Sequence, residues 1–333
     1  MATFETGCSF DHLTTTELLE EFIERTDATV SAVGRNSTNG LRVPNQSNDF
    51  VIKAVSTAAT KCIGFAYRCA TLPSALAIAI FKDTSTVHVD LRVTSGGKLR
   101  VTRAGTQLGS DGTATLMTGQ FYYIEFKATI HDSTGTIDVK VNGVSDISLT
   151  GQDTRNGGNA SINQVVLGND QGGASVTINS DYDDFYVADD FLGELRGFYS
   201  APNGNGNSSQ LVGSDGNSTD NYLLTDDASP DDDTTYVESS TTDQKDTYAM
   251  TNLPSTASTV HAVMVVANAR KDDAGSRSIA LVARSGSNET DSPDKTLNTT
   301  YGYFEHAFTT KPGGGAWSSS DVDAMEIGVK VRP

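Results

Sequence analysis

Tyr122-Tyr123-Ile124-Glu125-Phe126-Lys127-Ala128-Thr129-Ile130 decides the fold. Tyr122, Ile124, Phe126, Ala128 and Ile130 alternate with Tyr123, Glu125, Lys127 and Thr129. Successive side chains of a strand point to opposite faces, so this period of two reads as an antiparallel strand, apolar inward and polar outward. Working outward, Ile137, Val139 and Val141 repeat the pattern downstream, and Val87, Val89, Leu91 and Val93 repeat it upstream. Leu76 to Phe81 is apolar on both faces, as a central strand would be. Between these runs Ser95-Gly96-Gly97, Asp111-Gly112 and Asn142-Gly143 supply residues that tolerate positive φ in tight hairpins. Evenly spaced short strands of this kind predict a jelly-roll sandwich, and residues 1–190 are assigned to it.

The texture changes after Asp190. Ala201-Pro202-Asn203-Gly204-Asn205-Gly206-Asn207-Ser208-Ser209 has loop composition, and the acidic runs Asp226-Asp227 and Asp231-Asp232-Asp233 follow. Strand patterns then return at Tyr236-Val237, Thr247–Met250, Val260–Ala269, Ser278–Ala283, Tyr301–Phe308 and Ala324–Val331. Residues 191–333 therefore read as a second, smaller β-sandwich that opens with long acidic loops. One short helix is expected near the start, where Thr14-Thr15-Thr16-Glu17 has capping-box spacing and Leu18, Leu19, Phe22 and Ile23 fall on one helical face. The fold class is all-β, two sandwiches in tandem.

A length of 333 residues suits two domains, and the formal net charge of −18 repels phosphate backbones and anionic lipid, which argues against nucleic-acid or membrane partners. Cys8, Cys62 and Cys69 form no paired framework, and the N-terminus lacks the basic and apolar regions of a secretory signal. Both point to folding in a reducing cytoplasm.

Motifs that carry chemistry are sparse. No His-Glu-x-x-His, Cys-x-x-Cys, Gly-x-Ser-x-Gly or phosphate-cradling sequence is present. His88 points outward beside Asp90, as a solvent-facing residue would. Glu125, with Lys127 two residues on, reads as part of a solvated ion pair rather than of a carboxylate pair for glycoside cleavage. Asp183, Asp184 and Asp189 offer hard oxygens and are the candidate calcium ligands; no other cofactor is expected. Trp317, after Gly313-Gly314-Gly315, is the candidate contact for a glycan or partner, against the plainer reading that it anchors its own loop.

Several strings resemble a known family. They are Phe10-Asp11-His12-Leu13-Thr14-Thr15, Phe121 to Lys127 leading to Ile130-His131-Asp132-Ser133-Thr134-Gly135, and Asp183-Asp184-Phe185-Tyr186-Val187. Further along are Asp231 to Val237, Ala269 to Ile279 and Ala324 to Val331. The chain resembles tailed-bacteriophage virion proteins with a concanavalin A-like, or laminin-G-like, first domain. It departs from them in carrying Phe121 where the family tends to have Trp, and in lacking a Trp between Ser208 and Asn221. The resemblance implies a non-enzymatic structural component on the virion exterior, a capsid decoration or peripheral tail or fibre protein, assembled in the host cytoplasm. Its partners would be the major capsid protein or tail proteins and further copies of itself. A glycan-binding adsorption module recognising host surface glycan is the alternative, and a polysaccharide-degrading enzyme the third reading.

Overall fold

A computed structural model describes residues 2–35, 38–45, 48–72, 76–172, 177–227, 229–254 and 257–333. Strands hold 49% of the chain and helices 4%, so the all-β class holds. The chain divides into two compact units, the first ending at Gly197 and the second spanning Phe198–Pro333.

In the first unit two antiparallel sheets face each other. One runs, edge to edge, Val144–Gln152, Gly135–Val141, Tyr122–Thr129, Thr60–Cys69, Thr177–Ala188, Gly40–Asn45 and Thr29–Ser31, with Phe4–Cys8 also paired to Thr177–Ala188. The other runs Thr106–Leu108, Leu99–Arg103, Thr86–Val93, Leu76–Asp83, Ile162–Gly168, Phe50–Ala58 and Glu24–Thr26. Strands distant in sequence lie side by side, as in a jelly roll. The alternation of the opening stretch holds: Ile124, Phe126 and Ala128 are fully buried, and Phe126 meets Phe81 of the opposite sheet at 4.7 Å between ring centroids. Tyr182 joins this core edge-on to Tyr67 at 5.3 Å.

The helix shrinks to one turn, Leu18–Glu21. Thr14 does not cap it; its backbone N–H donates to Glu17 Oε2 instead. Phe22 is already extended, so Leu18 and Phe22 are buried while Leu19 and Ile23 face solvent.

The second unit sets a six-stranded sheet against a two-stranded ribbon. The sheet holds Pro202–Ser209, Lys245–Met250, Glu326–Arg332, Ser278–Ser285 and Asn288–Asp291 in that order, plus Lys295–Thr296 beside Ser278–Ser285. The ribbon pairs Val263–Ala269 with Gly302–Phe308. The core between them holds Tyr248, Met250, Val265, Leu281, Phe308 and Trp317. The Asn-Gly run expected as loop is thus an edge strand. Gly206 is there for close approach, because a Cβ on it would lie 2.4 Å from Thr247 O of the neighbouring strand.

Candidate functional site

The outward face of the first sheet carries a buried cluster of Cys62, Ala66, Tyr123, Tyr186 and Ala188, packed under Phe191, Leu192 and Leu195, and Glu125 shares that face. In register, Glu125 lies between Gly64 on one neighbouring strand and Lys140 on the other. Gly64 leaves a slot that the ring of Tyr186 fills; a Cβ there would sit 2.0 Å from Tyr186 Cε1. The phenol is thereby brought to Glu125, and Tyr186 Oη donates to Glu125 Oε1 at 2.6 Å. Glu125 is 1% exposed, yet its Oε2 has no hydrogen-bond partner. Cys62 Sγ stands 3.8 Å from Tyr186 Oη.

Burial, reinforced by Cys62 and Glu125, pushes the Tyr186 phenol far above its ordinary range, so it keeps its proton. Burial likewise pushes the Cys62 thiol up, which removes it as a thiolate nucleophile. What remains is a carboxylate and a protonated phenol in direct contact.

The chain leaving the last strand crosses this couple. Leu192 N donates to Tyr186 Oη at 3.1 Å, and Gly193 N to Glu125 Oε1 at 2.9 Å. Lys127 pairs with Asp190 at 2.8 Å, and the Lys140 ammonium sits 3.9 Å from the Phe191 ring centroid. Arg35 binds Asp184 and Glu194 and donates to Leu195 O. Residues 191–197 therefore belong with the first unit, where composition had assigned them to the second.

Glu125 is thus not part of the solvated pair that the sequence suggested, for the overlying segment covers it, while Lys127 is half-buried and pairs with the exposed Asp190 instead. His88 and Asp90 are corrected in the same way. Both are fully buried on the outward face of the other sheet. Asn156 N donates to His88 Nδ1 at 3.1 Å, and Asp90 accepts from Arg92, Thr102 and Gln171.

Asp183 and Asp184 are buried, and their oxygens are committed to protein donors. Arg35 N and Asp184 N donate to the two oxygens of Asp183, while Arg35 Nε and Gly197 N donate to those of Asp184. Asp189 accepts from Thr3 N. The described residues hold no group of three or more His, Cys, Asp or Glu side chains arranged for a metal ion, so the expected calcium trio is not assembled. Trp317 is 4% exposed and its Nε1 donates to Phe308 O at 2.8 Å. It is a core residue with no face to offer a sugar or partner.

Sequence reading missed Tyr186 and Arg35 as site residues. The available signal was Gly64 inside an otherwise bulky strand, which marks a place where another group comes close.

No protein-family model matches the chain, and no curated protein matches it. Among solved structures, alginate lyase Aly36B is similar at TM-score 0.39 and 11% identity, over 59% of this chain and 100% of that one. A form of it in complex with alginate tetrasaccharide gives 0.40 and 12% over the same shares. Trypanosoma rangeli sialidase gives 0.36 and 14%, over 50% of this chain and 27% of that one. These are carbohydrate-processing enzymes and not particle proteins. The expectation of a non-enzymatic structural component is corrected on that finding.

Proposed function

We propose that this chain is a carbohydrate-active enzyme that cleaves a uronate-containing polysaccharide by elimination, with Glu125 as base and Tyr186 as proton donor. The observation that carries this reading is the buried Glu125 carboxylate, one oxygen held by the Tyr186 phenol at 2.6 Å and the other without a partner. A buried polar atom left unpaired is costly, and sites of chemistry are where such costs are tolerated. Acid and base in contact act on one side of one sugar ring. Hydrolysis by two carboxylates needs them ~5–10 Å apart on either side of the bond, and this couple does not fit that requirement.

In the proposed step Glu125 Oε2 takes the proton α to the sugar carboxylate, the ring carbon–oxygen bond to the next sugar breaks, and Tyr186 gives its proton to the departing oxygen. Glu125 then turns its protonated oxygen to the Tyr186 oxygen and returns a proton to it, which resets the couple. Lys127 and Lys140 supply local positive charge for the uronate. Substrate must displace the bonds that Leu192 and Gly193 make to the couple, a small opening of an overlying segment.

The test is purified protein against a panel of acidic and neutral polysaccharides, with unsaturated and reducing ends measured separately. Unsaturated ends from a uronate polymer are expected, with Tyr186→Phe and Glu125→Gln each slowing turnover ~10²–10⁴-fold. No cleavage of any polymer, or variants as active as the parent, would refute the assignment. On the sequence resemblance alone we also propose that the enzyme is carried on a phage particle. Gold-tagged antibody to residues 198–333 would label intact particles in that case and leave them bare otherwise.

A further inference from the structure

The second unit contains an oxygen-lined turn that the proposed chemistry does not use. Its sequence is Gly213-Ser214-Asp215-Gly216-Asn217-Ser218-Thr219-Asp220-Asn221. Asn221 is fully buried. Its Nδ2 donates to Leu211 O at 3.0 Å and to Asp246 Oδ2 at 2.5 Å. Both partners are acceptors, so the amide cannot be turned over, and the oxygen is fixed on the other side. That oxygen, Asn221 Oδ1, has no hydrogen-bond partner.

Where it points can be located. The place a Cβ would take on Gly213 lies 3.2 Å from Asn221 Oδ1 and 2.7 Å from Asp215 Oδ1. Two acceptor oxygens from separate parts of the turn thus converge on the space that a glycine leaves free, Asp215 Oδ1 keeping a lone pair beyond the one bond it accepts from Asn217 N at 3.2 Å. Leu224 Cδ1 lies 2.4 Å from the same place and closes its inner side, so an occupant sits toward Asp215. Asp246 is not available to it, since its oxygens already accept from Gln210 N, Leu211 N, Asn221 Nδ2 and Tyr248 Oη.

The segment around the turn carries no cation of its own. From Gly197 to Gln244 the sequence contains no Lys or Arg, while Asp215, Asp220, Asp226, Asp227 and the run Asp231 to Asp233 all fall within it. Converging carboxylate and amide oxygens in a field of one sign call for a hard cation. Calcium accepts such mixed oxygen ligands in irregular geometry and completes its shell with carbonyls and water, whereas magnesium demands a near-ideal octahedron.

We propose that the Gly213–Asn221 turn binds one calcium ion, with Asp215 Oδ1 and Asn221 Oδ1 as its fixed side-chain ligands. The test is calorimetric titration of the full, chelator-treated chain with calcium chloride, alongside melting with and without the ion. One ion per chain with a dissociation constant of ~10⁻⁵–10⁻³ M is expected, together with a raised melting temperature. Asp215 is exposed, so Asp215→Asn should fold normally and weaken binding at least about tenfold. Gly213→Ala, which places a methyl group in the site, should abolish binding. Asp231→Asn with Asp232→Asn, in the separate acidic run, should leave it unchanged. No binding up to about 10⁻² M, or binding that Asp215→Asn leaves intact, would overturn the site. The readout is ion binding, so loss of the lyase assignment would not affect it, nor the reverse.

Discussion

The two units solve the same problem with different means. In the first, two sheets of eight and seven strands cover each other, and strand side chains such as Phe81, Phe126 and Tyr182 supply most of the core, to which Phe10, Leu18, Phe22 and Leu116 add from outside the strands. In the second, a six-stranded sheet is covered by only two strands, and Trp317, Leu297 and Met325 from outside those strands finish the core. Their buried carboxylates differ in parallel. Asp181 and Asp184 of the first unit are held by arginines, Arg42, Arg68 and Arg35, whereas Asp246 of the second gathers backbone and side-chain donors from a neighbouring turn. Where two full sheets meet, strand alternation specifies most of a core and the connecting segments add to it. Where a ribbon must do, loops become structural.

The sharpest way to break this contrast is Phe126→Asp, which puts an unpaired charge at the centre of the first core. A loss of at least about 3–5 kcal/mol is expected, enough to unfold the unit, read as loss of soluble, cooperatively melting protein. Native-like melting would remove Phe126 from the core. Next in size is Trp317→Ala, with about 3–5 kcal/mol from the cavity and the lost bond to Phe308 O. It would be measured as a lowered denaturant midpoint. A change under about 1 kcal/mol would mean that the ribbon suffices without its loop.

Smaller again is Gly64→Ala, whose methyl group must push the Tyr186 ring aside. A cost of about 1–3 kcal/mol is expected, with activity falling as far as in Tyr186→Phe. Full activity would separate the couple from catalysis. The last effect concerns pH. Burial, with Asp184 adding to it, pushes the Asp183 carboxyl up to about 7. Unfolded, it ionises near about 4. The folded state therefore binds this proton more tightly, so stability rises as pH falls from about 7 to about 4 and is level outside that window. Asp183→Asn should flatten that part of the profile of melting temperature against pH; an unchanged slope would assign it to other carboxyls, such as Asp11.

The strands of the first unit were legible because alternation over Val87–Val93 and Tyr122–Ile130 needs no knowledge of neighbours. What covers a strand was not legible. His88, Asp90 and Glu125 were placed on the correct face but assumed wet, because the segments over them come from residues 156, 171 and 191–195, far away in sequence. Trp317 misled through its glycine-rich approach, which describes the turn before it and not where the ring goes. Asn203 to Ser209 misled through composition, since Asn and Gly usually mark turns and here the glycine admits a neighbouring backbone. The candidate couple was half visible: Glu125 was singled out, but its partner depends on the slot at Gly64, a contact between strands about 120 residues apart in sequence.

The distribution of two rare side chains has a practical consequence. Cys8, Cys62 and Cys69 are all reduced and buried, and all lie in the first unit. The sole indole, Trp317, lies in the core of the second. Thiol-reactive dyes therefore time the opening of one unit while intrinsic fluorescence follows the other, so a single unmodified sample carries two independent clocks for its own unfolding.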